Sequence, residues 1–144
     1  MKKYYSTILV AVQFFAIAVI VWLSHTPTSV VPGTVLLLSI TLGLWAIVSM
    51  KIRNLKIFPE PKLDAQFTGS GPYKFIRHPM YTSVLLCTLS FVLEQPGFTI
   101  ATVWAILAVS LLLKLHFEEG LLIQKFQNYT EYQSTTKKLI PYIY

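Results

Sequence analysis

The chain has 144 residues, of which 54% are hydrophobic and only 12% charged, with a formal net charge of +6. A soluble domain of this length keeps much of its surface in water and needs charge there, so the composition excludes an ordinary soluble fold and points to a bilayer. The positive excess forms no basic stripe interleaved with aromatics, which excludes a nucleic-acid partner and reads as attraction to lipid headgroups and loop bias.

Lys2 and Lys3 precede a first apolar run from about Ser6 to Ser24. The run is too long for the apolar region of a signal peptide and no small-x-small cleavage site follows, so it is expected to be a retained helix. A second run covers about Gly33 to Met50, a third Pro79 to Leu93 and a fourth Phe98 to Phe117. Lengths near ~20 residues match a hydrocarbon core of about 30 Å at about 1.5 Å per residue. The third is short and contains the single cysteine, Cys87, which excludes an internal disulfide and reads as a small buried residue. The expected fold is an all-α integral membrane bundle of about four transmembrane helices.

The connections carry the orientation. His25 to Pro32 and the Glu94-Gln95-Pro96-Gly97 turn hold no Lys or Arg. Lys51, Arg53, Lys56, Lys62, Lys74 and Arg77 follow the second run, and Lys114 is grouped with the basic residues after the fourth. The positive-inside rule then makes the protein multi-pass, with both termini cytoplasmic. Short outer turns and one long inner loop predict two antiparallel hairpins. The inner loop contains Pro59, Pro61, Gly69, Gly71 and Pro72, and is too long and broken for a plain connector. After Phe117, Leu122, Phe126, Tyr129 and Tyr132 recur at helical spacing opposite Gln124, Lys125, Gln127, Asn128 and Glu131. That pattern predicts an amphipathic C-terminal cytoplasmic helix, lying on the headgroups or packed on the loop. The chain reads as a single domain, 1–144, with an N-terminal helical hairpin over 1–50.

Two clusters carry chemistry. Gly69-Ser70-Gly71-Pro72-Tyr73 leads into Arg77-His78-Pro79-Met80-Tyr81. Pro79 suits the first turn of a helix and pushes His78 toward an extended conformation, so the third span should begin there. The helix N-terminus and the Arg77 fork then suit a carboxylate or phosphate. The alternative is a turn with a snorkelling arginine. The second cluster is Glu118-Glu119, at the inner end of the fourth span. Adjacent acids near lipid call for a cation or a hydroxyl-rich partner; the alternative is a solvated helix end beside Lys114 or Lys125. If the third and fourth spans form a hairpin, the two clusters face each other on one cytoplasmic rim. A zwitterionic ligand with a ribose fits that arrangement. His25, His78 and His116 show no metal-binding spacing, and no metal is expected.

The string Gly71-Pro72-Tyr73-x-x-x-Arg77-His78-Pro79-Met80-Tyr81 resembles the isoprenylcysteine carboxyl methyltransferase family. So does Glu118-Glu119-x-x-Leu122-x-x-x-Phe126-x-x-Tyr129-x-x-Tyr132, closing with Leu139-Ile140-Pro141. The similarity covers roughly residue 66 to the end, which would be the catalytic half, 66–144. It implies an enzyme that uses S-adenosylmethionine (SAM) to methylate a membrane-embedded lipid or prenylated acceptor, most directly the carboxylate of an isoprenylcysteine. It further implies that Gly69, Gly71, Tyr73, His78, Pro79, Tyr81, Glu118, Glu119 and Leu122 bind the cofactor, with Arg77 and Glu119 as the catalytic candidates. Tyr73 and Tyr81 would stabilise the sulfonium through their ring faces. Lys138 stands where the family has an arginine, keeping the charge without the bidentate geometry. The competing readings are an NADPH-dependent membrane reductase of the sterol-reductase type, which shares an Arg-His-Pro-x-Tyr string, and a non-enzymatic membrane scaffold.

Overall fold

The computed structural model describes residues 2–50 and 69–144, apart from the side chains of Lys2 and Lys3. Five α-helices are present among the described residues: α1 (Lys2–Leu23), α2 (Val30–Ser49), α3 (Pro79–Glu94), α4 (Phe98–Lys125) and α5 (Tyr129–Thr135). A 3-10 turn, Gly71–Lys74, precedes α3. The expected all-helical membrane bundle is what forms. α1, α2 and α4 are long and apolar enough to cross a membrane, and α3 is a shorter apolar helix of 16 residues.

Each long helix is apolar around its circumference, which is the pattern of a helix solvated by lipid and by other helices. Phe15, Trp22, Leu37, Val48 and Phe98 are all exposed on the bundle. Hydroxyl side chains inside the helices satisfy themselves on the preceding turn, as lipid requires. Thr34 donates to the Val30 carbonyl at 2.7 Å, Thr88 to Val84 at 2.8 Å and Ser110 to Leu107 at 2.8 Å. Two prolines fall where a helix needs no backbone N–H: Pro32 in the first turn of α2, and Pro79 at the first position of α3. The third span therefore begins at Pro79, as read from the sequence.

Packing departs from the two expected hairpins. α2 packs mainly on α3 and α1 mainly on α4, with α3 also touching both α1 and α4. Ser83 of α3 donates to the Ser39 carbonyl of α2 at 2.8 Å, and a Cβ on Gly43 would lie 2.6 Å from Ser83 Oγ, so the small residue lets α2 and α3 approach. The core consists of Ala16 and Ile20 of α1 against Ile100, Leu107 and Leu111 of α4, covered by Val84, Leu85 and Phe91 of α3. Short outer turns constrain only the ends of consecutive helices; the side chains on each face then decide which helices meet.

Both ends of the bundle are tied. At one end Glu94 accepts from the Thr28 and Ser29 backbone N–H groups and from both hydroxyls, at 3.1–3.2 Å. At the other end lie the start of α1, the end of α2, the start of α3 and the acids of α4, as the contacts Tyr5–Phe117, Ser49–Gly71 and Arg77–Glu119 show.

The tail differs from the single amphipathic helix expected after Phe117. α4 continues to Lys125, the chain turns extended at Phe126, and α5 is a separate helix of seven residues. The turn lets the tail fold back onto the segment before α3. There Ile76 and Lys137 form a parallel bridge, Arg77 N–H donates to Lys137 O at 2.7 Å and His78 N–H to Lys138 O at 3.0 Å.

Candidate active site

Arg77 is the hub. It leaves the extended strip before α3, and its side chain is only 7% exposed. Its Nε donates to Glu119 Oε1 at 2.5 Å. Its Nη1 donates to the Thr136 carbonyl and, at 3.2 Å, to the Gln133 carbonyl. Helix α4, α5 and the tail are therefore gathered on one guanidinium, a planar fork that lysine does not offer. Glu119 is as buried as its partner, at 8%. Its Oε1 also meets His78 Nε2 at 3.3 Å, and its Oε2 accepts from Gln133 Nε2 at 3.3 Å. Both oxygens of Glu119 are thus engaged by protein groups.

Glu118 is placed differently. Its side chain is 27% exposed, Tyr81 donates to its Oε2 at 2.6 Å, and His78 Nδ1 lies 3.9 Å from the same oxygen. The two neighbouring acids thus differ in surroundings: Glu119 is buried with both oxygens engaged, and Glu118 is partly exposed. Tyr81 stacks on His78 with ring centroids 5.3 Å apart. The Lys114 ammonium lies 5.2 Å from the Tyr81 ring. Tyr81's ring thus has two neighbours, the His78 imidazole and the Lys114 ammonium.

Tyr73 sits beneath this rim, 4% exposed, and its hydroxyl is the one buried side-chain polar atom without a partner among the described residues. Burial and the nearby Glu118 charge push that hydroxyl well above the ordinary tyrosine range. The Tyr73 carbonyl accepts the Tyr132 hydroxyl at 2.5 Å, so α5 is stapled to the 3-10 turn.

Gly71 has a packing role. Gly71 adopts φ +59°, and a Cβ there would come within 2.0 Å of Ser49 Oγ and 3.1 Å of the Trp45 ring nitrogen. Its lack of a side chain is required by contact with α2. Gly69 is exposed at the edge of the described chain, and Pro79 is fully buried at the start of α3. Leu122 lies one turn beyond the acids and is half-buried; its carbonyl accepts the Phe126 N–H at 2.9 Å where α4 ends. The remaining histidines stay apart: His25 is exposed near the opposite end, and His116 bonds the Leu112 carbonyl and lies 3.1 Å from Lys138 Nζ.

Several residues of the cluster escaped the sequence reading. Thr136 enters through its backbone carbonyl, which leaves no trace in residue type, and Gln133 through both its carbonyl and its side-chain amide. Thr82 anchors the tail by donating to the Leu139 carbonyl at 2.8 Å. Lys114, grouped with the basic residues beyond the fourth span, lies inside α4. It is 2% exposed and donates to Gln13 Oε1 at 2.8 Å. The signal available was a lysine within an apolar run, at helical spacing from Glu118.

An apolar groove of about 280 Å³ separates α2 from the tail. Leu42 and Trp45 form one wall, Pro72, Phe75 and Ile76 the floor, and Pro141 and Tyr142 the other wall.

A helical bundle with lipid-facing walls and a buried arginine–carboxylate–imidazole cluster at one rim defines an integral membrane protein with a polar site at the end of its spans. The chain belongs to the isoprenylcysteine carboxyl methyltransferase family, whose profile matches residues 30–124, from the start of α2 almost to the end of α4. It is thus a member of a family of membrane methyltransferases. Neither a curated protein nor a solved structure matches the chain.

Proposed function

We propose that the protein transfers a methyl group from SAM to a membrane-embedded lipid or prenylated acceptor, with carboxyl O-methylation of an isoprenylcysteine-like substrate as the reaction. The observation that carries this reading is the meeting of the Arg77–His78 mouth of α3 with the Glu118–Glu119 end of α4 at one rim. The residues suit the cofactor. Glu118 is an open carboxylate for an ammonium group or a ribose diol, and the unpartnered Tyr73 hydroxyl supplies a further polar contact.

SAM supplies an electrophilic methyl on a sulfonium. The chain's part is to bind, align and exclude water. Glu118 holds the cofactor's polar groups, while Glu119 and Arg77 keep the start of α3, the end of α4 and the tail in register, so that Arg77 acts by positioning. An acceptor carboxylate is ionised at neutral pH, with an ordinary pKa of about 3.5, so no general base is needed. Alignment of the reacting atoms contributes up to about 7–11 kcal/mol in favourable intramolecular cases. Charge is neutralised as the methyl moves from sulfonium to carboxylate, so a site shielded from water by α5 and the tail favours the step. The apolar groove between Trp45 and Pro141 offers the acceptor's hydrocarbon chain a wall open to lipid. The Lys and Arg bias of the connections supports a site on the cytoplasmic face.

The test is methyl transfer from radiolabelled SAM by the purified protein, into a panel of prenylcysteines and phospholipids. Label in the prenylcysteine fraction that is released by base, as from a methyl ester, is expected. Label confined to phospholipid amines overturns the carboxylate acceptor, and no label together with no SAM binding overturns the reading as a whole.

A further inference from the structure

Helix α1 lies before residue 30, where the family match begins, yet it reaches the site. Its Gln13 is buried and accepts the Lys114 ammonium of α4. The apolar contacts of Ala16 and Ile20 with Leu107 and Leu111 already hold the two helices together. A hydrogen bond between membrane helices adds little to that adhesion. Lys114 also lies close to the inner end of its span, where a lysine can extend its head to water. It turns inward instead. Adhesion of α1 therefore does not account for its placement.

The inward turn brings the ammonium against the ring of Tyr81, whose hydroxyl donates to Glu118. Lys114 and Glu118 stand one turn apart on α4, and Tyr81 of α3 touches both. We infer that Lys114, held by Gln13, is a positioning residue for the Tyr81–Glu118 pair, and that α1 thereby forms part of the ligand site. The ammonium is attracted to the ring face and restrains the ring. Without it, the hydroxyl–carboxylate contact loosens and Glu118 holds the cofactor less firmly. This inference rests on the SAM reading above.

The experiment is calorimetric titration of the full-length protein in detergent with SAM. Lys114→Gln removes the charge while leaving an amide pair able to bond across α1 and α4. It is expected to bind SAM about tenfold more weakly with an unchanged melting temperature, and Lys114→Arg is expected to stay near wild type. In a Tyr81→Phe background the Lys114→Gln loss should vanish, because no hydroxyl remains to be positioned. Glu94→Gln, at the far end of the bundle, should bind like wild type. Wild-type affinity in Lys114→Gln, or equal losses in both backgrounds, overturns the inference and leaves the cofactor reading standing. A wild-type protein that binds no SAM overturns both. Should Lys114→Gln fail to fold, Gln13→Leu, which keeps the charge but releases it from α1, is judged in the same two backgrounds by the same criteria.

Discussion

Arg77 and Glu119 stand forty-two residues apart in the chain and meet at 2.5 Å, each nearly closed to solvent. A buried pair of this kind costs desolvation, and that cost is offset here by further hydrogen bonds: Gln133 and His78 on the acid, two backbone carbonyls on the arginine. The pair ties the beginning of α3, the end of α4 and the tail into one unit, and the expected effects of substitution follow from that.

Arg77→Ala leaves a buried carboxylate without its cation and is expected to cost about 3–5 kcal/mol. Arg77→Lys should also destabilise, because one ammonium lacks the fork that serves Glu119 and both carbonyls. Thermal unfolding in detergent measures both losses. Removing both charges in Arg77→Met/Glu119→Leu should recover most of the stability and no methyl transfer. Equal stability of Arg77→Ala and wild type would show that the pair does not anchor the rim.

The adjacent acids should separate experimentally. Glu118→Gln, at the more exposed position, is expected to weaken SAM binding with little change in melting temperature. Glu119→Gln should lower the melting temperature first, since it strips a buried ion pair. The reverse pattern would exchange their roles.

Gly71→Ala should destabilise for two reasons: the φ of +59° and the collision with Ser49. The left-handed conformation alone costs about 1–2 kcal/mol. Ser49→Gly in the same chain should relieve the collision and restore part of the loss. If Ser49→Gly restores nothing while SAM binding is abolished, the glycine serves the ligand directly and not the contact with α2.

High pH should release the tail. Burial pushes the Tyr132 hydroxyl from 10.0 up to about 12, with the nearby Arg77 charge opposing and Glu119 reinforcing. Tyr73 and Tyr129 are raised further, again chiefly by burial. A raised folded-state value means the contribution is complete below pH 10 and disappears as pH rises through about 12. Tyrosinate absorbance should therefore show a late group of tyrosines, rising together with loss of α5 contacts. Tyr132→Phe, which gives up the bond to the Tyr73 carbonyl, should cost about 1–3 kcal/mol and advance that release to lower pH. Titration of all tyrosines near pH 10 would contradict the packing of the tail on the 3-10 turn.

The apolar runs, the start of α3 at Pro79 and the convergence of Arg77 with the acid pair were legible in the residues. Each has a local cause: hydropathy over a helix length, a proline without an N–H, and two polar clusters at the ends of consecutive spans. The family likeness was legible from the same motifs. Its reach differed, since the profile takes in α2 and stops before the tail. Less legible were residues whose roles rest on backbone atoms, such as Thr136, or on packing, such as Gly71 against Ser49.

Read alone, the amino-acid order determined that the chain crosses a bilayer and that the Arg77 and Glu118–Glu119 clusters fall at the same ends of their spans, because every residue in a lipid-spanning helix must satisfy the same solvent. Only the tertiary structure decided that α2 pairs with α3 and α1 with α4. It also decided that Arg77 is committed to Glu119 while Glu118 stays open, and that Lys114 turns inward to Gln13. Those outcomes depend on which faces meet across the bundle. That is a competition among distant side chains, in which neighbours along the chain have no privileged vote.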